Sequence, residues 1–415
     1  LESGSVKEYQ RELNEANGLL SRNVLWTTPS GQIVSVKTER FVDQTSNAIH
    51  QRVTIVPLKG SIKVKIVTGI DGSVTNSGRQ HLLRNECRQL DSRTIAADYT
   101  LNDSDQKVAI AVNYSVDGVA SVDDRKFNMS FSKVVEASRP FILEKKAIVA
   151  AQPFESQPFE RVAFFANDNR NFAEALSDSE KLFWNGFWED NRIVIDSEDI
   201  DDQELIDFAE YHLATMAPRN DSRISIGAKG LSGEGYKGHA FWDNELFVLP
   251  FFMSSDLKIA RNLLKYRFDH LNEAKQRASE SGYKGAWYPW ESAFSGKDET
   301  PEFASMDIST GEAQPVTSNI HEIHINSDIA YAMEKFELVS SFWQRTSILE
   351  EMTKFWISRS YKDKEGTYHF NAVTGPDEYT EDVSDNAYTN YMIYLNLVET
   401  IPYLNDRLRN QEKDV

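Results

Sequence analysis

Four stretches of this sequence concentrate side chains able to do chemistry. Residues 230–246 carry four glycines together with Glu234, Lys237, His239, Trp242, Asp243 and Glu245. Glycine lets a backbone approach a ligand closely. A Trp beside an Asp is a pairing that holds a pyranose: the indole covers the apolar face of the ring and the carboxylate accepts hydrogen bonds from hydroxyls. The same pair also fits a helix start with a buried Trp and a capping Asp, and the pattern leaves both open. Residues 285–293 place Trp287, Tyr288 and Trp290 around Pro289, with Glu291 next. That is either an aromatic platform for a ring or an aromatic core beneath a loop, the commoner use of such residues.

The third stretch, 319–329, holds His321, Glu322 and His324. Two histidines three apart with Glu between them are not the helical pair of a zinc protease, and no metal site is expected. Hydrogen bonding to a polar ligand or to neighbouring loops fits better. The fourth, 373–391, sets a turn at Gly375-Pro376 and presents Asp377 and Glu378 ahead of Tyr379, with a helix expected from about Asp385. A carboxyl on a turn beside aromatics can be desolvated, stay protonated and act as a general acid. Acidic residues also suit a helix N-terminus, where they favour the macrodipole. For Asp382 and Asp385 the helix-terminus role is preferred; for Glu378 spacing alone does not choose.

The elements that must carry these loops fall in a clear order. Val34 and Val36, then Ile62, Val64 and Ile66, then Val108, Ile110, Val112 and Tyr114, then Phe127, Met129 and Phe131 alternate with polar neighbours. Period two over short segments separated by turns (28–32, 69–72, 102–105, 117–118) predicts an antiparallel β-sandwich. The pattern changes near Asn167. From Phe172 to Asp190 the spacing is helical and acidic, with Phe183, Phe187 and Trp188 on one face. Beyond Asp201 the chain reads as mostly helical. Ala260, Leu263, Leu264, Leu271, Ala274 and Ala278 recur at helical steps, as do Leu349, Met352, Phe355 and Trp356, and Tyr388, Tyr391, Met392, Leu395 and Val398. Loops rich in Gly, Trp, His and carboxylates on a rigid helical scaffold are the usual place for a site.

The 415 residues suggest two or three domains, with 40% apolar and 26% charged residues in an ordinary globular balance. A net charge of −19 repels phosphate backbones and anionic lipid, so no nucleic-acid or membrane partner is expected. The single cysteine, Cys87, allows no internal disulfide. With no basic stretch followed by an apolar run from Leu1 to Glu8, this reading places the protein in the cytoplasm.

Taken together, GLSGEGYKGHAFWDNE from Gly230, YPWES from Tyr288, HEIHINSDIAY from His321, GPDEY from Gly375 and DNAYTNYM from Asp385 occur in the order found in glycoside hydrolase family 65. That family comprises the maltose, kojibiose and trehalose phosphorylases and their relatives. The sequence resembles it over nearly its whole length, with maltose phosphorylase-like members looking closest. The resemblance implies an N-terminal β-sandwich over 1–168, a helical linker over 169–200 and the first part of an (α/α)6 catalytic barrel over 201–415, incomplete at the C-terminus. It implies Glu378 as general acid, and Trp242 and Asp243 holding the non-reducing glucose. Trp290, Glu291 and His324 join them as substrate-binding candidates, and 295–300 would border the acceptor. The implied reaction is inverting phosphorolysis of a maltose-like α-linked glucose disaccharide to β-glucose 1-phosphate and a sugar. No cofactor is implied; inorganic phosphate is the co-substrate, its binding residues expected beyond Val415. The full-length family member is expected to be a homodimer. Two alternatives stand beside this: an α-glucoside hydrolase of the trehalase type, and a catalytically inert sugar-binding fragment.

Overall fold

The computed structural model of the chain describes residues 3–411 apart from 103, 124, 125, 167, 231, 307, 308 and 343. Leu1, position 103 of the 102–105 turn, Asn167, position 231 of the first loop and Val415 therefore lie outside the described residues. The chain divides into two compact units, 1–211 and 212–415.

In the first unit, eight strands lie side by side in one antiparallel sheet. Their order is Ser5–Asn14, Leu19–Thr27, Ile33–Val42, Ile49–Pro57, Phe141–Ala151, Lys107–Tyr114, Thr94–Leu101 and Leu82–Gln89. A second sheet of three strands, Val119–Asp123, Lys126–Glu136 and Ser61–Asp71, covers part of it. Because side chains alternate across a strand, one face of each sheet is apolar. Ile70, Phe127, Met129 and Phe131 of the smaller sheet pack on Ile95, Tyr99, Val112, Tyr114 and Leu143 of the larger. Each such side chain, fully buried, contributes about 1.5–3 kcal/mol. The expected antiparallel sandwich is therefore present.

Helical structure starts earlier than the sequence pattern suggests. Pro158–Ala166 forms a helix whose Val162 and Ala166 sit on Ala109, Ala111 and Ile148 of the sheet's outer face. Its apolar run is too short for periodicity to separate helix from strand. The next helix, Phe172–Ser179, is opened by a reciprocal cap between Asn171 and Glu174. It runs through a wide π-type turn, Glu180–Trp184, into Asn185–Asn191. The extra residue in that turn shifts the phase. As a result Trp184, 1% exposed, is the deep anchor, stacked on Tyr211 at 5.2 Å, instead of the expected Phe183, Phe187 and Trp188.

The second unit is built mainly from helices. The stripe expected as one helix over 260–278 is split into Leu257–Asp269 and Leu271–Glu280, with His270 between them. Ile325–Glu337 and Arg345–Arg359 pack against these, and Leu349, Met352, Phe355 and Trp356 are all buried as expected. The last helix, Ala387–Gln411, turns a different face inward from the one its apolar stripe suggests. Tyr391 is 59% and Val398 43% exposed, while Thr389, Met392, Ile393, Asn396 and Thr400 are buried. Hydrogen bonding explains the difference. Asn396 accepts the Trp356 indole N–H at 2.7 Å, and Thr400 donates to the Asn396 carbonyl at 2.6 Å. Satisfied polar groups are cheap to bury, so the polar stripe can face the core. No helix among the described residues is long and apolar enough to cross a membrane.

Candidate active site

The four loops singled out in the sequence are tied to one another by backbone and buried polar contacts. The first and second share a two-way bridge: Ala240 N donates to Ser292 O at 2.7 Å and Ser292 N to Ala240 O at 3.1 Å. Beneath the bridge, Arg267 Nε and Nη2 donate to the two oxygens of Glu245 at 2.7 and 3.0 Å, and Nη2 also reaches Phe241 O at 3.2 Å. Both charges are buried. A bidentate pair of this kind fixes orientation as well as position, so it holds the segment carrying Trp242 and Asp243. After Asp243 the chain enters another wide turn, Asn244–Val248, before the helix Leu249–Ser255.

The second loop is clamped to the third. Asn326 Oδ1 accepts Tyr288 N and its Nδ2 donates to Ala286 O, both at 2.8 Å. Gly285 lets this segment approach the Arg345–Arg359 helix: a Cβ there would stand 2.0 Å from Glu351 O, and its φ is +77°. The fourth loop joins through Thr374 N, which donates to His321 O at 2.9 Å, and is closed by a bridge between Val373 and Val383.

Several side chains converge on this framework. His324, fully buried, shares Nδ1 with Asp328 Oδ2 at 2.7 Å and packs edge-on against Trp242 (5.1 Å) and Tyr388 (5.3 Å). Tyr388 donates its hydroxyl to Asp328 Oδ1 at 2.9 Å. Burial pushes the Asp328 carboxyl up, with the His324 and Tyr388 hydrogen bonds opposing it. The other nitrogen of His324, Nε2, has no hydrogen-bond partner and lies 3.8 Å from Glu322.

Glu322 is where the loops meet. It is 2% exposed and neither carboxylate oxygen completes a hydrogen bond. Burial raises its pKa to about 7; the Ser318 hydroxyl opposes this, the charge of Glu378 adds to it, and His324 and the Trp290 indole oppose it. One carboxyl thus senses Trp290, His324 and Glu378 together.

The candidate residues take different positions around it. Trp242 contacts His324, and Trp290 packs edge-on against Phe241 at 4.9 Å. Asp243 is partly buried; burial first and the Glu245 charge second raise its pKa, against its own backbone hydrogen bond. Glu291 is 4% exposed and turned to His239 Nδ1 at 2.6 Å, so its carboxylate is already engaged. Glu378 stands on an exposed turn with Pro376, Asp377 and Tyr379. The carboxyl raised by burial to about 7 is Glu322 of the third loop. Asp385 also departs from expectation: its carboxylate takes His369 Nδ1 at 2.7 Å and Phe370 N at 3.1 Å, while Asn386 caps the helix by accepting Thr389 N at 3.0 Å. Asp328, Tyr388 and the Arg267–Glu245 pair were not foreseen. For Asp328 the four-residue step from His324 was an available signal, because such residues share a helix face. Among the described residues there is no group of three or more His, Cys, Asp or Glu placed to hold a metal ion.

Residues 207–414 match the profile of the glycosyl hydrolase family 65 central catalytic domain, and residues 1–187 match that of the family's N-terminal domain. The chain belongs to glycosyl hydrolase family 65. It is 38% identical to a kojibiose phosphorylase of Escherichia coli (strain K12), over 96% of this chain and 54% of that protein. It is 35% identical to a kojibiose phosphorylase of Halothermothrix orenii, over 98% of this chain and 55% of that one. The chain thus spans about half the length of the curated relatives it matches. In fold it superposes on a putative kojibiose phosphorylase from the human microbiome with a TM-score of 0.84 at 22% identity, covering 98% of this chain and 53% of that one.

The buried Glu322 makes stability depend on pH in a stated direction. Its folded pKa of about 7 lies above the ordinary 4.5, so the folded state binds the proton more tightly. Stability from this group is complete below about pH 4.5 and declines as pH rises through 7. At about 1.4 kcal/mol for each pH unit, the full loss is about 3 kcal/mol. Glu322→Gln should remove that loss. Urea midpoints at pH 5 and pH 8 should therefore lie closer together in the variant than in the parent; an unchanged gap would show that Glu322 does not titrate in this range.

Proposed function

We propose that the whole protein catalyses inverting phosphorolysis of an α-linked glucose disaccharide, with inorganic phosphate as co-substrate. Trp242 and Asp243 hold the transferred glucose, with Trp290, Glu291 and His324 lining the same site. A phosphate oxygen attacks the anomeric carbon from the face opposite the glycosidic oxygen. As the new C–O bond forms, the glycosidic C–O bond breaks, and its electron pair stays on the leaving oxygen, which takes the proton of Glu378. The α-linkage becomes β-glucose 1-phosphate and the second sugar is released. In this reading phosphate replaces the water and base of an inverting hydrolase.

The observation that supports the proposal is the joining of the loops: Thr374 N, four residues before Glu378, donates to His321 O at 2.9 Å, and His324 of the same loop packs on Trp242. On this reading the proton donor and the ring-binding aromatic stand on adjoining loops. The names of both relatives favour kojibiose over the maltose-like substrate that the resemblance implies. The reading keeps a sandwich over 1–168, a linker over 169–200 and the opening part of an (α/α)6 barrel over 201–415. It places the phosphate site in the portion of the relatives that this chain does not span. A cytoplasmic homodimer completes it.

The test is to incubate the whole protein with kojibiose, maltose, trehalose or nigerose, with and without phosphate. β-Glucose 1-phosphate should form from one of them only when phosphate is present. Sugar release at an equal rate in phosphate-free buffer would make the protein a hydrolase, and no reaction with any of the four would remove the phosphorylase assignment.

A further inference from the structure

The sandwich unit contains a cleft of about 610 Å3, within the range of about 300–1,000 Å3 usual for small-ligand sites. Its floor is a polar row on the outer face of the large sheet. His50, Lys146 and Asn113 lie directly opposite one another on three adjacent strands, and Thr94 continues the row on the fourth. Side chains opposite one another on neighbouring strands share a face. Asn113 Nδ2 donates to Thr94 Oγ1 at 2.8 Å. The facing wall is residues 168–171, where Lys146 Nζ donates to Asp168 O at 2.5 Å.

Two features separate this row from ordinary structural polarity. His50 is 3% exposed and its Nε2 has no hydrogen-bond partner. A buried polar atom left so costs about 1–3 kcal/mol. Lys146 donates to Asp168 O and stands 4.0 Å from the Asp168 carboxylate, which anchors its ammonium in the cleft. The charges around the cleft, by contrast, are engaged with one another. Arg170 pairs with Asp43, Asp168 and Asp178 at 3.0, 2.9 and 3.2 Å, and Arg93 pairs with Asp117 at 2.9 Å. Burial, the largest influence, holds the His50 imidazole down at about 4, so it is neutral and offers one donor or one acceptor.

We propose that this cleft is a second binding site for a neutral, hydroxyl-rich ligand, a mono- or disaccharide, held by His50, Lys146 and Asn113. The balance of charge argues against an ion: Asp91, Asp117, Glu144 and Asp168 line the cleft against Arg93, Lys145, Lys146 and Arg170, so no net charge draws one in. Fixed neutral and cationic donors beside amide and imidazole groups suit hydroxyls, which both give and accept hydrogen bonds.

The experiment is isothermal titration of the 415-residue chain with glucose and with maltose, alongside His50→Phe, Trp242→Ala and the double variant. Phe keeps the stacked ring contact that His50 makes with Phe41 at 5.0 Å and removes the unpaired nitrogen, so the fold should be as stable as before or more so. Sugar binding with two sites in the parent, one in each single variant and none in the double variant supports the proposal. A His50→Phe isotherm identical to the parent's overturns it. So does inorganic phosphate binding that His50→Phe abolishes while sugar binding is untouched. A single sugar site in the parent, abolished by His50→Phe and untouched by Trp242→Ala, would count against the proposed catalytic reading and leave this one standing.

Discussion

Glu378→Gln in the whole protein should lower kcat for phosphorolysis of the disaccharide by about 10³-fold, the middle of the range of about 10²–10⁴ for a positioned general acid. The amide keeps the size of the side chain and has no proton to give at neutral pH, so the leaving oxygen must depart as an alkoxide. Because Glu378 stands on an exposed turn, the fold and the affinity for glucose should be unchanged. The readout that isolates acid catalysis is the leaving group. α-Glucosyl fluoride departs without protonation, and its phosphorolysis should fall by less than 10-fold in the variant. The geometry also supplies a rival donor, because Glu322 is the carboxyl whose burial raises its pKa to about 7. If Glu322→Gln shows the leaving-group-dependent loss and Glu378→Gln does not, the proton comes from Glu322 and the assignment to Glu378 is wrong.

That rivalry marks the limit of what spacing can reveal. The order and content of the loops are plain in the sequence, because glycine, tryptophan and carboxylate runs are rare between amphipathic helices. The β-to-α change is equally plain, since period two and period 3.6 do not resemble each other. Burial of a single carboxyl is another matter. Glu322 lies among histidines and isoleucines and Glu378 beside Asp377 and Tyr379, and only their surroundings distinguish a buried acid from an exposed one. Those surroundings depend on contacts between distant segments: Thr374 N on His321 O, and Asn326 clamping the backbone of Ala286 and Tyr288. The wide turns at Glu180–Trp184 and Asn244–Val248 are invisible for a related reason. They insert one residue into a helical phase without any residue that announces it. The last helix misleads through composition, since its buried face includes Thr389, Asn396 and Thr400, which a hydrophobic pattern assigns to solvent.

The Arg267–Glu245 pair makes the second large prediction. Arg267 is 1% and Glu245 5% exposed, and the guanidinium also serves the Phe241 carbonyl. Burial tends to lower the Arg267 pKa, but the Glu245 charge and hydrogen bond outweigh it and the net shift is upward, so Arg267 stays a cation. Arg267→Met fits a similar volume but leaves a buried carboxylate without a counter-charge, which costs about 3–5 kcal/mol. A urea titration should show a midpoint lowered accordingly. Adding Glu245→Leu should recover most of the loss, because two apolar side chains of similar volume can replace a buried ion pair at little cost. The double variant would then be far more stable than the sum of the single variants predicts, as expected for residues that act as one unit. The pair also holds the backbone that leads into Trp242 and Asp243. The double variant should therefore regain stability without regaining full glucose affinity, since the bidentate grip that orients those two residues is absent. A single Arg267→Met variant within 1 kcal/mol of the parent would show that Glu245 finds another partner and that the grip does not position the site.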